Sequence, residues 1–282
     1  MSNDYFNRMH ELIHTAGQLS LQLIDQSEPR LKGDRSVITK TDTAVSELAR
    51  VHLADLLSSG DHILIDEEDP DVAQYLDQNI LDKTTYIWSI DPIDGTRLYA
   101  NKIPTYGLSI GLLKNLRPWM GIVYFPLLNE LFYCDGEKSY FVQNAFAKDE
   151  KRQVIKPVDE NITSRSIFFM DDLIFRDFDW DYKDCQAMMQ TCAVVDLCWP
   201  SIGRACGSIF RSHLWDFAGS WPIFLSAGLN LRSMKTGQIL DKVDTNFFEK
   251  DKRPWKTKDY YILSSERNYS IIKNKLTPRI KG

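Results

Sequence analysis

Residues 86–91 read Tyr-Ile-Trp-Ser-Ile-Asp, an apolar strand that runs straight into Asp91-Pro92-Ile93-Asp94-Gly95-Thr96. A strand of that composition belongs in a buried sheet. Carboxylates at its end are costly to desolvate unless something cationic pairs with them. The fold must therefore carry this strand end to a place where negative charge is compensated. Asp91 and Asp94 are three residues apart and Pro92 stiffens the turn, so both carboxylates can converge on one point with the Ile93 carbonyl between them. Gly95-Thr96 then begins a helix, whose free N–H groups suit an oxyanion. Hard divalent cations such as Mg²⁺ take oxygen ligands of this kind, usually completed by water and substrate phosphate.

Two further acidic segments lie where a strand or helix ends: Asp66-Glu67-Glu68 after the strand 62–66, and Trp215-Asp216-Phe217-Ala218-Gly219 at a helix start. Around them the apolar spacing predicts helices over 4–25, 42–57, 184–198, 215–227 and 268–276. Strands are predicted at 107–113, 120–125, 131–134, 140–142, 166–170, 229–234 and 260–264, with turn-prone residues at 30–36. The polar stretch 144–164 reads as a loop or lobe boundary. The expected division is 1–145, carrying most metal ligands, and 146–282, carrying Asp216 and a substrate-side helix, in one compact unit. The class is α/β or α+β, with layered sheets and helices.

The 282 residues are 43% hydrophobic with a net charge of −5, which fits a soluble globular protein and argues against nucleic-acid polymers, whose binding needs clustered Lys and Arg. No apolar stretch approaches the roughly 20 residues needed to cross a bilayer, and no signal peptide is evident. Five cysteines without Cys-x-x-Cys spacing suit a reducing compartment, so the cytoplasm is expected.

The motifs resemble those of the inositol monophosphatase family, the lithium-sensitive magnesium phosphatases. Asp91 to Thr96 matches that family's Asp-Pro-Ile-Asp-Gly-Thr, and Trp215 to Gly219 its Trp-Asp-x-Ala-Gly. Residues 65–68 match its Glu-Glu strand end with Asp66 in place of the usual Gly, and 37–42 resemble its Val-Thr-x-x-Asp helix start. The resemblance implies a layered αβαβα sandwich, common as a homodimer, hydrolysing a small phosphate ester with two or three Mg²⁺ per site. Glu67, Asp91 and the Ile93 carbonyl would hold one ion, Asp91, Asp94 and Asp216 a second, and Glu67 with water a third. Gly95 and Thr96 would hold the phosphate. Thr96, supported by Asp42 and Glu67, would position the attacking water; Asp42 is also a plausible helix cap.

Departures bear on substrate. Leu98 follows Arg97 where Asn is frequent, and Cys192 and Cys206 stand where Thr or Ser and Asp are common. Residues 209–211 are Ile-Phe-Arg where inositol monophosphatases usually offer a carboxylate to ring hydroxyls. Arg211 could receive a second phosphate or a carboxylate through its planar fork, or be a solvated arginine. Lys32 resembles a lysine of the family's metal loop and reads equally as a solvated one. The five histidines show no ligand pairing. Inositol phosphate is the default substrate; a 3′(2′),5′-bisphosphate nucleotidase, a sugar-phosphate phosphatase and a catalytically idle metal- and phosphate-binding regulator are the alternatives.

Overall fold

A computed structural model describes residues 2–26, 28–32, 37–158, 160–251 and 253–279. Its backbone is a seven-stranded sheet and a five-stranded sheet with helices outside and between them. The seven-stranded sheet runs in chain order: His62–Asp66, Tyr86–Asp94, Gly107–Lys114, Arg117–Phe125, Glu130–Cys134, Ser139–Gln143 and Lys151–Val154. Only its first pair is parallel. The five-stranded sheet has the order Gln186–Met188, Ile167–Met170, Gly207–Phe210, Tyr261–Ser264 and Asn230–Ser233.

The first helix, Ser2–Leu23, buries Met9, Leu12, Ile13 and Ala16, the i, i+3, i+4, i+7 stripe of an amphipathic helix. With Lys40–His52 it covers one face of the larger sheet. Leu214–Ala218 and Trp221–Ser226 cover the other face, Ala193–Cys198 packs on both sheets, and Glu266–Asn274 closes the far side against Tyr261–Ser264. This is the expected αβαβα layering. The middle layer sits unusually close to the larger sheet. A Cβ on Gly111 would lie 2.5 Å from the Ala218 carbonyl carbon, and one on Gly121 would collide with the Gly219 carbonyl. Gly111 and Gly121, on the strands 107–114 and 117–125, are thus what allow the segment after Asp216 to lie so close to the sheet that carries Asp91 and Asp94.

Several expectations change, among them the helix over 42–57, which is divided at Leu53 into Lys40–His52 and Ala54–Leu57. The stretch 144–164 is not all loop: Lys151–Val154 pairs with Ser139–Gln143 as an edge strand, extending the first sheet past residue 145. The helix expected over 184–198 is a short edge strand, Gln186–Met188, then a helix from Ala193. Asp184 and Thr191 take φ of 63° and 56°, which a continuous right-handed helix cannot accommodate. The helix expected over 215–227 is split between Ala218 and Trp221, with Pro222 at the start of the second piece. Within the turn-prone stretch 30–36, Arg30–Leu31 pairs with Val37–Ile38, and residues 33–36 lie outside the described residues. Among the described residues no helix is long and apolar enough to cross a membrane.

Candidate active site

Parallel pairing places Asp66 opposite Ile90, and the Glu67 N–H continues the ladder to the Ile90 carbonyl at 3.2 Å. Glu67 and Asp91 therefore leave the sheet side by side. The next strand pairs Asp91 with Ser109 and Asp94 with Gly107, with an irregularity between. That bulge is the Pro92-Ile93 turn, and it re-aims the chain in the way bulges beside active sites do. Gly95 follows at φ 79°, the left-handed region that favours glycine, and a Cβ there would come as close as 3.3 Å to Cys192. Thr96 opens a five-residue helix.

Asp42 is the third residue of Lys40–His52 and completes a capping box with Thr39, whose N–H it accepts at 2.8 Å. The same carboxylate turns its Oδ1 to the Thr96 hydroxyl at 3.2 Å. The capping and catalytic readings of Asp42 are therefore compatible. The Thr96 hydroxyl also lies 3.0 Å from the Ile93 carbonyl; having one proton, it serves one acceptor at a time. Glu67 makes its hydrogen bond with Lys32 (3.0 Å), which also donates to Glu68 (2.6 Å), rather than with Thr96.

Glu67, Asp94, Gly95, Thr96 and Asp216 line one cleft of about 330 Å³. Asp91 is not among the cleft-lining residues; it is 2% exposed, and its Oδ1 is buried with no hydrogen-bond partner. Burial pushes its carboxyl well above the usual range, and Glu67, Asp94, Asp216 and Asp42 push it further. Burial, then Asp216, lifts Asp94 to about 7. Burial likewise lifts Glu67 to about 7 against the pull of Lys32, and Asp42 to about 6. Buried acids whose neighbours raise their carboxyls, together with a buried oxygen that has no partner, make a site whose charge a divalent cation would compensate. All donors are hard oxygens, which fits Mg²⁺. Among the described residues, however, no three His, Cys, Asp or Glu side chains stand in a ready-made metal-binding arrangement. Protein groups hold one oxygen of several acids instead: Val194 N–H donates to Asp94 at 2.5 Å and His213 N–H to Asp216 at 2.8 Å.

A sequence model of the Inositol monophosphatase family matches residues 7–270. The chain belongs to the inositol monophosphatase family. It is 29% identical to Inositol monophosphatase 1 of Solanum lycopersicum over 195 residues, 68% of each chain. It is 27% identical to the 3′(2′),5′-bisphosphate nucleotidase CysQ of Salmonella typhimurium over 136 residues, 46% of this chain and 51% of that one. Among solved structures, a Staphylococcal IMPase-I complexed with products superposes with a TM-score of 0.74 at 14% identity, covering 99% of both chains. The fold is therefore that of the inositol monophosphatases, the family is one of phosphatases, and it uses Mg²⁺.

For this family member the structure also places residues that the motifs do not single out. Asp171 and Asp196 line the cleft with Phe210, Ser212 and Thr191. Asp196 is 3% exposed, its Oδ1 has no partner, and burial followed by Asp94 and Asp171 raises its carboxyl well above the ordinary range. The signal for Asp171 was present: it follows the apolar strand Ile167–Met170 as Asp91 follows its own. Arg211 is not among the cleft-lining residues. Its guanidinium donates to the Thr257 carbonyl at 3.0 Å and pairs with Glu249, so its fork is already engaged. Asp66, standing where the family usually has Gly, is fully buried; it accepts from Ser46 and from the Glu68 N–H at 3.0 Å, which is a structural role.

Proposed function

We propose that this chain is a Mg²⁺-dependent phosphomonoesterase acting on a small phosphorylated metabolite, with inositol phosphate as the default substrate. The observation that carries the reading is the convergence of Glu67, Asp94 and Asp216 on one cleft beside Gly95 and Thr96, with all three close enough to raise the buried Asp91 carboxyl, whose Oδ1 has no partner. Glu67, Asp91, the Ile93 carbonyl, Asp94 and Asp216 would hold two or three ions. Bound Mg²⁺ supplies a water of lowered pKa and positive charge for the phosphoryl and leaving oxygens. The protein's own part is positional. Gly95 and the start of the Thr96 helix offer N–H groups to the phosphate. Asp42 accepts the Thr96 hydroxyl's hydrogen bond, leaving the hydroxyl oxygen to accept from, and so aim, the attacking water. Among the described residues we assign no side chain as a covalent nucleophile.

The CysQ relatives favour a second reading, a 3′(2′),5′-bisphosphate nucleotidase, and 209–211 are Ile-Phe-Arg where inositol monophosphatases usually offer a carboxylate to ring hydroxyls. Free phosphate released from inositol 1-phosphate, adenosine 3′,5′-bisphosphate and a panel of sugar phosphates in Mg²⁺ separates the readings. Faster release from the nucleotide selects the second. No turnover on any ester would refute both and favour an idle, ligand-binding relative.

A further inference from the structure

A second cavity, of about 250 Å³, shares no lining residue with the cleft. It is walled by Glu160, Thr163 and Arg165, by the turn 203–206, and by the start of the helix Glu266–Asn274. That helix has nine residues, and its N-cap, Ser265, makes no side-chain capping bond, so the first turn keeps N–H groups without intrahelical partners. The acid of that turn, Glu266, is drawn away to Arg232. Two buried side chains at that helix start add a second observation. Ser265 is 5% and Asn268 3% exposed, yet Ser265 Oγ and Asn268 Oδ1 have no hydrogen-bond partner. The Asn268 amide nitrogen is occupied, donating to the Glu160 carbonyl at 2.9 Å, so what that side chain lacks is a donor. Buried polar groups left this way are costly unless something satisfies them. Arg165 is exposed and makes no ion pair among the described residues, whereas Arg204 is committed to Glu130 at 2.7 and 2.5 Å.

These demands are complementary. The helix start, Ser265 and Arg165 call for an anionic acceptor. Asn268 Oδ1 and the Glu160 carboxylate call for hydroxyl donors, and Glu160 disfavours a second anionic group. We propose that this cavity is an auxiliary binding site for a small hydroxylated oxyanion, a phosphate ester or a hydroxycarboxylate. The anionic end caps the Glu266–Asn274 helix and faces Arg165, and a hydroxyl donates to Asn268. The turn 203–206 joins the cleft helix Ala193–Cys198 to the strand Gly207–Phe210, so an occupant contacts a segment whose two ends both lead to the active site.

Calorimetric titration of the full chain in chelator, with glycerol 3-phosphate and with glycerate as probes, tests this. The proteins are wild type, Asp94→Asn, which alters the cleft, and Arg165→Glu, an exposed change that leaves the fold intact. Saturable binding should survive Asp94→Asn and weaken on the order of 10-fold or more in Arg165→Glu. A response to one probe only supports the site and fixes which oxyanion it takes. Binding lost in Asp94→Asn, binding unchanged in Arg165→Glu, or no saturable binding of either probe overturns the proposal. The catalytic reading stands or falls separately, on phosphate release.

Discussion

Replacing Asp94 by Asn should stabilise the metal-free protein while abolishing its activity. The carboxyl is 8% exposed and is lifted from its ordinary 3.8 to about 7 by burial and by Asp216. Keeping it ionised well above that pH therefore costs on the order of 4 kcal/mol in the absence of a cation. Asparagine has nearly the same shape and keeps an oxygen for the Val194 N–H, so the variant relieves the charge penalty without opening a cavity. For a chain of this length each kcal/mol moves the midpoint by roughly 2–4 °C. A rise on the order of 5–10 °C is expected in chelator at about pH 8, allowing for incomplete relief. The assay is thermal unfolding of both proteins with chelator and with Mg²⁺, alongside phosphate release. Wild type should gain stability from Mg²⁺ and the variant little or none. A metal-free variant less stable than wild type, or one that Mg²⁺ stabilises equally, would refute the electrostatic reasoning.

The pH dependence of metal-free stability follows from the same groups. Asp42 is raised to about 6, and Glu67, Glu68 and Asp94 to about 7, in each case chiefly by burial. Acids with raised folded pKa values stabilise fully below their unfolded values and lose that contribution as pH climbs through the folded ones, so the melting temperature in chelator should fall between about pH 4 and about pH 7; a rise across that window contradicts the burial argument. Thr96→Ala should cut kcat by about 10²-fold or more with a small change in KM, as follows from the role proposed for its hydroxyl in aiming the attacking water; an unchanged kcat removes Thr96 from the chemistry. Asp66→Ala should cost about 1–3 kcal/mol of stability by orphaning Ser46 and the Glu68 N–H, as urea unfolding will show, while Mg²⁺-dependent activity of the folded fraction persists; loss of Mg²⁺ binding would make Asp66 a site residue.

How much of this was legible in the chain differs by element. The strands 62–66 and 86–91, the glycine-threonine turn and the Asp216 helix start were readable because each combines an apolar run with an acidic end, a pattern with few physical outlets. The split at 218–221 and the edge strand 186–188 were not. They depend on how closely the middle layer lies on the sheet and on the positive φ of Asp184 and Thr191, which periodicity does not register. Arg211 could not be assigned from the sequence because its partner, Glu249, lies 38 residues away. The same limit hid Asp196, whose significance comes only from facing Asp94 and Asp171. Asp171, by contrast, follows the strand-end rule that found Asp91.

Anomalous scattering from crystals soaked in Mn²⁺ in place of Mg²⁺ tests the central claim most directly, since it locates the ions without reference to turnover. Peaks should lie within about 2.3 Å of carboxylate oxygens of Asp91 and Asp94, with Glu67 and Asp216 each completing one of them. Ions bound away from these four side chains, or no bound ion at saturating Mn²⁺, would contradict the account.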